Sequence, residues 1–273
     1  MHAFICTTCA TQFTPSDEPP AHCPICEDER QYIGHSGQQW TTLETLRAER
    51  KTVIKDHEPR LSGIGIEPSL GIGQRALLVE APGSNVLWDC IPLIDDAAIE
   101  AVKARGGISA IAISHPHYYS GMIEWSRAFD NAPIYLHAND RQWVMRPDHA
   151  IVFWEGETHA LGDGLTLIRG GGHYPGGTML HWAAGTDGRG TLLTGDIMHV
   201  VSDRRYVSFM YSYPNYIPLH AAAVEHVVQS VEPFAFDRIY GAWFHTIVDN
   251  DAKAAVKRSA ARYLRALAGE YPA

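Results

Sequence analysis

The sequence predicts a layered α/β protein with a small metal-stapled module at its N-terminus. Three observations lead there. Four of the five cysteines fall within the first 26 residues as two C-x2-C pairs. Beyond them, short apolar runs of strand length alternate with glycine-rich turns and helical segments. Several of those apolar runs end on histidine or aspartate, the side chains that bind metals.

At 273 residues the chain accommodates one large domain and a small module. A composition of 45% apolar and 19% charged residues suits a globular protein with a substantial core. The formal charge of −9 argues against a general nucleic-acid binder, which presents a basic face. No apolar run approaches the ~20 residues that span a bilayer, and "MHAFICTTCATQF" lacks the basic start and apolar core of a secretory signal. The expectation is therefore a cytoplasmic protein acting on a small molecule, without nucleic acid or membrane as a partner. Cytoplasmic thiols stay reduced, so its cysteines read first as metal ligands or packed core residues.

The cysteine pattern, Cys6-x2-Cys9-x13-Cys23-x2-Cys26, has Pro15, Pro19 and Pro20 in its connecting loop. The segment holds too little apolar material to bury a core unaided, and four thiolates around one tetrahedral ion supply the missing staple. Redox-active C-x2-C pairs would need a thioredoxin-like strand-and-helix framework, which the flanking sequence lacks. The stretch resembles the rubredoxin-like knuckle of rubrerythrins and zinc ribbons. Pro24 matches the proline usual in that family's second C-x2-C pair, whereas Ala10 stands where rubredoxins place glycine. Zinc and iron both suit four thiolates. The knuckle is assigned to residues 1–33 and the main domain to 34–273. Cys90, alone in "VLWDCIP", reads as an inert packed thiol.

Along the main domain, "QWTTLETLRAER" predicts a helix with Thr41 and Glu44 at capping-box spacing. Strands are predicted at "RALLVE", "NVLWD", "SAIAIS", "PIYLHA", "LTLIRG", "TMLHWA", "GTLLTGD" and "DRIYGAWF". Helices are predicted at "DDAAIEAVKARGG", "NDRQWVMR", "PLHAAAVEHVVQSVE" and "NDAKAAVKRSAARYLRALAG". The last places Val256, Tyr263, Leu264 and Leu267 on one face. Hairpin-like series and β-then-α order together imply mixed sheets.

The chemistry gathers at strand ends. His115 and His117 follow "SAIAIS", His173 follows "LTLIRGGG", Asp196 ends "TLLTGD" and His245 ends "RIYGAWF". Alternate residues of an extended segment point the same way, so two imidazoles at H-x-H spacing can share a cation. With His173 they make the three-nitrogen set of a catalytic zinc that keeps an open position.

This order, H-x-H, then HxxGG, then a strand-ending GD, then a late histidine, resembles the metallo-β-lactamase-fold hydrolases over roughly residues 60–265. The resemblance implies an αββα sandwich with metals at the sheet edge. It implies that His115, His117, His173 and Asp196 form a complete first metal site. The family's first motif runs H-x-H-x-D-H, and here Tyr119 and Ser120 replace its aspartate and second-site histidine. Only Asp196 and His245 then remain for a second ion, so one ion is expected, with His199 as the nearest substitute ligand. Zinc is the expected ion, and iron or manganese suit the same donors.

The activity implied is hydrolysis of an ester, thioester, lactone or related bond by a metal-bound water. Asp196 is the expected base, and Tyr119 either donates to the developing oxyanion or simply packs. The alternative is a non-hydrolytic metal- or ligand-binding or redox protein with a degenerate site. The aromatic stretch "RRYVSFMYSYPNYIPL", residues 204–218, reads either as a wall over the site or as a loop packed on the C-terminal helices.

Overall fold

The computed structural model describes residues 1–272, which divide into two compact units, Met1–Trp154 and Glu155 onward. The first unit is built on a seven-stranded sheet whose spatial order follows the chain. Lys51–Glu58 and Leu61–Glu67 form a hairpin that turns at Arg60, whose φ is +70°. Ala76–Val79 and Val86–Trp88 continue the antiparallel series. Ala110–Ala112, Ile134–His137 and Ile151–Trp154 then add in parallel. The change of direction requires crossovers, and two of these carry the helices Asp96–Lys103 and Met122–Ala128. Ala76–Val79 and Val86–Trp88 are buried at every residue, as strands covered on both faces must be. The Asp95 carboxylate caps Asp96–Lys103 by accepting from Ala98 N at 2.8 Å. It also accepts from Thr52 N and Oγ1, which ties that helix to the first strand.

The knuckle belongs to this unit. Ile5–Cys6 pairs with Trp40–Thr41, and Phe13 packs edge-on against Trp40 at 4.9 Å between ring centroids. The buried cysteines carry Trp40, Trp143 and Met145 against them.

The second unit holds a six-stranded mixed sheet. Thr158–Gly162, Leu165–Arg169, Thr178–Trp182 and Thr191–Gly195 form an antiparallel meander. Arg238–Gly241 adds in parallel, and Ile247–Val248 closes the edge. Helices Ala221–Val231 and Ala252–Leu267 bury Val224, Val227, Val231 and Val256 in a core shared with Leu192 and Ile239. Among the described residues, no helix is long and apolar enough to cross a membrane.

Three local expectations are corrected, and one hairpin was not foreseen. The cap of Leu43–Glu49 is Thr42, which accepts from Thr45 N, and Thr41 lies in a strand instead. "NDRQWVMR" forms only a 3-10 segment, Ala138–Trp143, because Pro147 follows closely and disfavours helix before it. The apolar face of the last helix runs out of core at its final turn, where Leu267 is exposed. The hairpin 51–67 went unread, since its first strand alternates weakly and its second carries two glycines.

Candidate metal centres

Both candidate centres follow from where the chain changes direction. At the N-terminus, Ala10 takes a left-handed backbone, φ +64°, and its N–H bonds Cys6 O at 2.9 Å, turning the first C-x2-C pair back on itself. Pro24 opens the short helix Pro24–Glu27, which wraps the second pair. The Sγ atoms of Cys6 and Cys26 are 3.5 Å apart and those of Cys9 and Cys23 are 3.6 Å apart. Thiolates on a tetrahedral ion with bonds of about 2.3 Å sit about 3.8 Å from each other, so the four fit such an ion with small adjustment. Hydrogen bonds from neighbouring thiols push Cys6 down, while burial pushes Cys9 well up. Hydrogen bonding to Cys23 and Cys6 pushes Cys26 up as well. Buried thiols so close cannot all ionise against one another, and a divalent cation removes that conflict. Gln38 Nε2 adds a donor to Cys6 Sγ at 3.1 Å.

The second centre starts where the strand Ala110–Ala112 stops. His115 is still extended, but Pro116 opens a 3-10 turn, Pro116–Tyr118, that contains His117. The two rings therefore do not converge by strand alternation. They meet across the turn, with centroids 5.0 Å apart and planes at 75°. Ser114 Oγ donates to Asp89 Oδ1 at 2.7 Å, which leaves it to accept from His115 Nδ1–H at 3.0 Å. That bond fixes the tautomer and points the Nε2 lone pair outward for a metal. Asp89 is buried, also accepts from Ser114 N, and burial pushes its carboxyl up to about 7.

In the second unit, His173 Nδ1–H donates to Tyr211 O at 2.8 Å, which again leaves Nε2 for coordination. Asp196 follows the strand Thr191–Gly195 on a turn closed by the bond from Ile197 N to Thr194 O. Tyr213 Oη donates to the Asp196 backbone carbonyl at 2.6 Å. His115, His117, His173 and Asp196 are all buried, and each offers a ligand atom within 4.8 Å of the others. Three imidazoles, those of His115 and His173 with fixed tautomers, and one carboxylate suit a divalent ion that retains an exchangeable position.

The remaining site residues fall elsewhere. His245 is exposed on the turn after Arg238–Gly241, not at that strand's end, and lies outside the group of four. His199 lies tilted against Tyr213 and edge-on to Trp243, and burial, with Arg204 and His245 nearby, holds its imidazole below the ordinary range. His199, Arg204, Trp243 and His245 line a cavity of about 270 Å³. Tyr119 and Ser120 are both buried in the turn beyond His117. Cys90 is a buried thiol, as expected.

The stretch 204–218 combines both readings given for it. Val207 and Phe209 enter the core under the C-terminal helix, while Tyr211 and Tyr213 hold His173 and Asp196. Sequence reasoning missed this role, and it missed the Asp89–Ser114–His115 chain. An aspartate ending "VLWD" beside a strand that ends in Ser-His was the available signal.

No protein-family model matches the chain. Solved structures of similar fold include the DIM-1 metallo-β-lactamase, with a TM-score of 0.59, 14% identity, and 79% of this chain aligned to 98% of that one. The metallo-β-lactamase VMB-1 gives a TM-score of 0.57 and 14% identity over 80% of this chain and 98% of its own. A Cronobacter sakazakii metallo-β-lactamase with an HARLDQ motif gives 0.52 and 16% over 83% and 97%. The architecture is thus the metallo-β-lactamase fold, extended by an N-terminal four-cysteine cluster. The uncharacterized protein YmaE of Bacillus subtilis (strain 168) is 50% identical over 272 residues, 99% of this chain and 98% of its own. Identity at that level along both chains places the protein in the same family as YmaE.

Proposed function

We propose that the protein is a metal-dependent hydrolase of an ester, thioester, lactone or related bond in a small molecule, with one ion held by His115, His117, His173 and Asp196. The observation that carries this reading is the convergence of those four buried side chains. When bound, a divalent ion there supplies Lewis acidity and lowers the pKa of a coordinated water from about 15.7 to about 7. We propose zinc in this role, with iron and manganese as ions the same donors accept, and zinc or iron in the thiolate knuckle.

The chain's own residues do the rest. The bonds to Ser114 and to Tyr211 orient His115 and His173 so that neither ring must reorganise during turnover. Asp196 takes the proton released by the attacking water, as the buried carboxylate of the group. Tyr119, buried just past His117, donates to the charge that develops on the substrate oxygen. Phosphodiesters are a weaker proposal, because their displacement is commonly clamped between two ions and Tyr119 and Ser120 replace two ligands of a second one. The expected location is the cytoplasm.

The test is a panel of esters, thioesters and lactones assayed with protein reconstituted with zinc, iron or manganese. Hydrolysis lost with His115→Ala supports the proposal. Inactivity of every metal form on the whole panel favours the alternative of a non-hydrolytic metal-binding or redox protein. Visible colour from iron in the four thiolates, together with that inactivity, would favour the redox form of the alternative.

A further inference from the structure

Ser120 and Ala10 face each other across the first unit. Both have left-handed backbones, with φ +39° and +64°, a conformation that costs a non-glycine residue energy. Ser120 Oγ donates to Ala10 O at 3.2 Å, and this bond is buried. Ala10 is the residue directly after Cys9, and Ser120 lies three residues past His117. One hydrogen bond thus joins the thiolate knuckle to the loop that carries two of the imidazoles.

The loop is also backed on another side. A Cβ at Gly121 would stand 2.8 Å from Ile91 O, so the loop lies close against the segment that follows Val86–Trp88 and cannot shift toward it. A second polar path runs in parallel. Buried Gln12 of the knuckle accepts from Arg146, and Arg146 Nη1 donates at 2.6 Å to Glu124 in the helix that follows the loop.

Taking His115 and His117 as ligands, as proposed above, we propose that metal in the knuckle tightens metal binding at the histidine site, with Ser120 as the positioning residue that transmits the effect. Four thiolates closed on an ion fix the Cys6–Cys9–Ala10 turn, and the fixed Ala10 carbonyl holds Ser120 in its strained conformation. The histidine loop is then already in place when its own ion arrives. Binding at the two sites is coupled, and the coupling is reciprocal.

The experiment is cobalt titration of full-length apoprotein against a competing chelator. The thiolate-to-cobalt charge-transfer band reports the knuckle, and the ligand-field absorption left after the four-thiolate contribution is subtracted reports the histidine site. Four proteins are compared: wild type, Ser120→Ala, Cys23→Ser with Cys26→Ser, and all three substitutions together. Ser120→Ala should weaken cobalt binding at the histidine site about fivefold, the worth of one net hydrogen bond, while the charge-transfer band persists. The cysteine pair should weaken it at least as much, and Ser120→Ala should add nothing on that background. Non-additivity is the readout that general destabilisation would not produce.

Equal histidine-site affinity in wild type and Ser120→Ala overturns the proposal, and so do effects that simply add. If the cysteine pair variant does not fold, Cys26→Ser alone replaces it with the same non-additive result expected, and should that fail too the comparison of wild type with Ser120→Ala decides. Loss of coupling with hydrolysis intact refutes the coupling alone. Coupling without hydrolysis of any substrate refutes the hydrolytic reading alone.

Discussion

Asp89 offers the sharpest quantitative prediction. Its carboxylate lies in the interior and, among the described residues, touches polar hydrogens only at Ser114, where Oδ1 accepts from both N and Oγ. Burial pushes the group from its ordinary 3.8 to about 7, outweighing those two bonds. A carboxyl raised in the native state costs stability wherever the unfolded chain has ionised first. The penalty is absent below pH 3.8, grows from there to about pH 7 and is complete above it. At about 1.4 kcal/mol per pH unit, the accumulated cost is about 4 kcal/mol.

Asp89→Asn keeps an acceptor oxygen where both Ser114 bonds end and replaces the other carboxyl oxygen by an amide NH2 that stays neutral at every pH. In apoprotein held in chelator, wild type and variant should unfold at the same denaturant concentration near pH 4. The variant should then pull ahead steadily through pH 7 and hold a constant lead of a few kcal/mol above it. Its zinc affinity should fall by about tenfold, because the His115 tautomer loses an ionised anchor. Parallel stability curves between pH 4 and 8 would refute the reasoning about Asp89.

Other outcomes follow from single contacts. Tyr213→Phe removes the donor to the Asp196 carbonyl and should lower stability by about 1 kcal/mol, measured by urea unfolding, with weaker metal retention at the histidine site. Gly121→Ala drives a Cβ into Ile91 O and should destabilise the fold by about 1–3 kcal/mol, seen as a lower Tm. His199 lies outside the four-residue group, so His199→Ala should leave the number of bound ions unchanged by elemental analysis.

The parts of this protein legible in its sequence are those where spacing alone constrains chemistry. Two C-x2-C pairs in a proline-rich, apolar-poor segment have few uses besides a metal, and the four sulfurs do gather. The order of histidines and aspartate at the ends of apolar runs likewise anticipated four side chains that meet. Less legible was how they meet. Pro116 opens a 3-10 turn that takes His117 out of the extended run, a backbone choice that alternation rules do not see. The hairpin 51–67 escaped because sheet pairing, not local pattern, makes strands of "KTVIKDHE" and "LSGIGIE".

The positioning residues were hardest to foresee. Asp89, Ser114, Tyr211 and Tyr213 act through contacts made across the sheet or from a distant hairpin. Ser120 reads in sequence as a turn residue before glycine. Its conformation supports that reading, but only the fold brings it to Ala10, 110 positions earlier in the chain.

The central claim is that His115, His117, His173 and Asp196 hold one divalent ion apart from the thiolate knuckle. Elemental analysis of native protein beside His173→Ala tests it most directly. Two ions per chain, falling to one with the thiolate-bound ion retained, is the expected result. An unchanged count in His173→Ala, or three ions in the native chain, would contradict it.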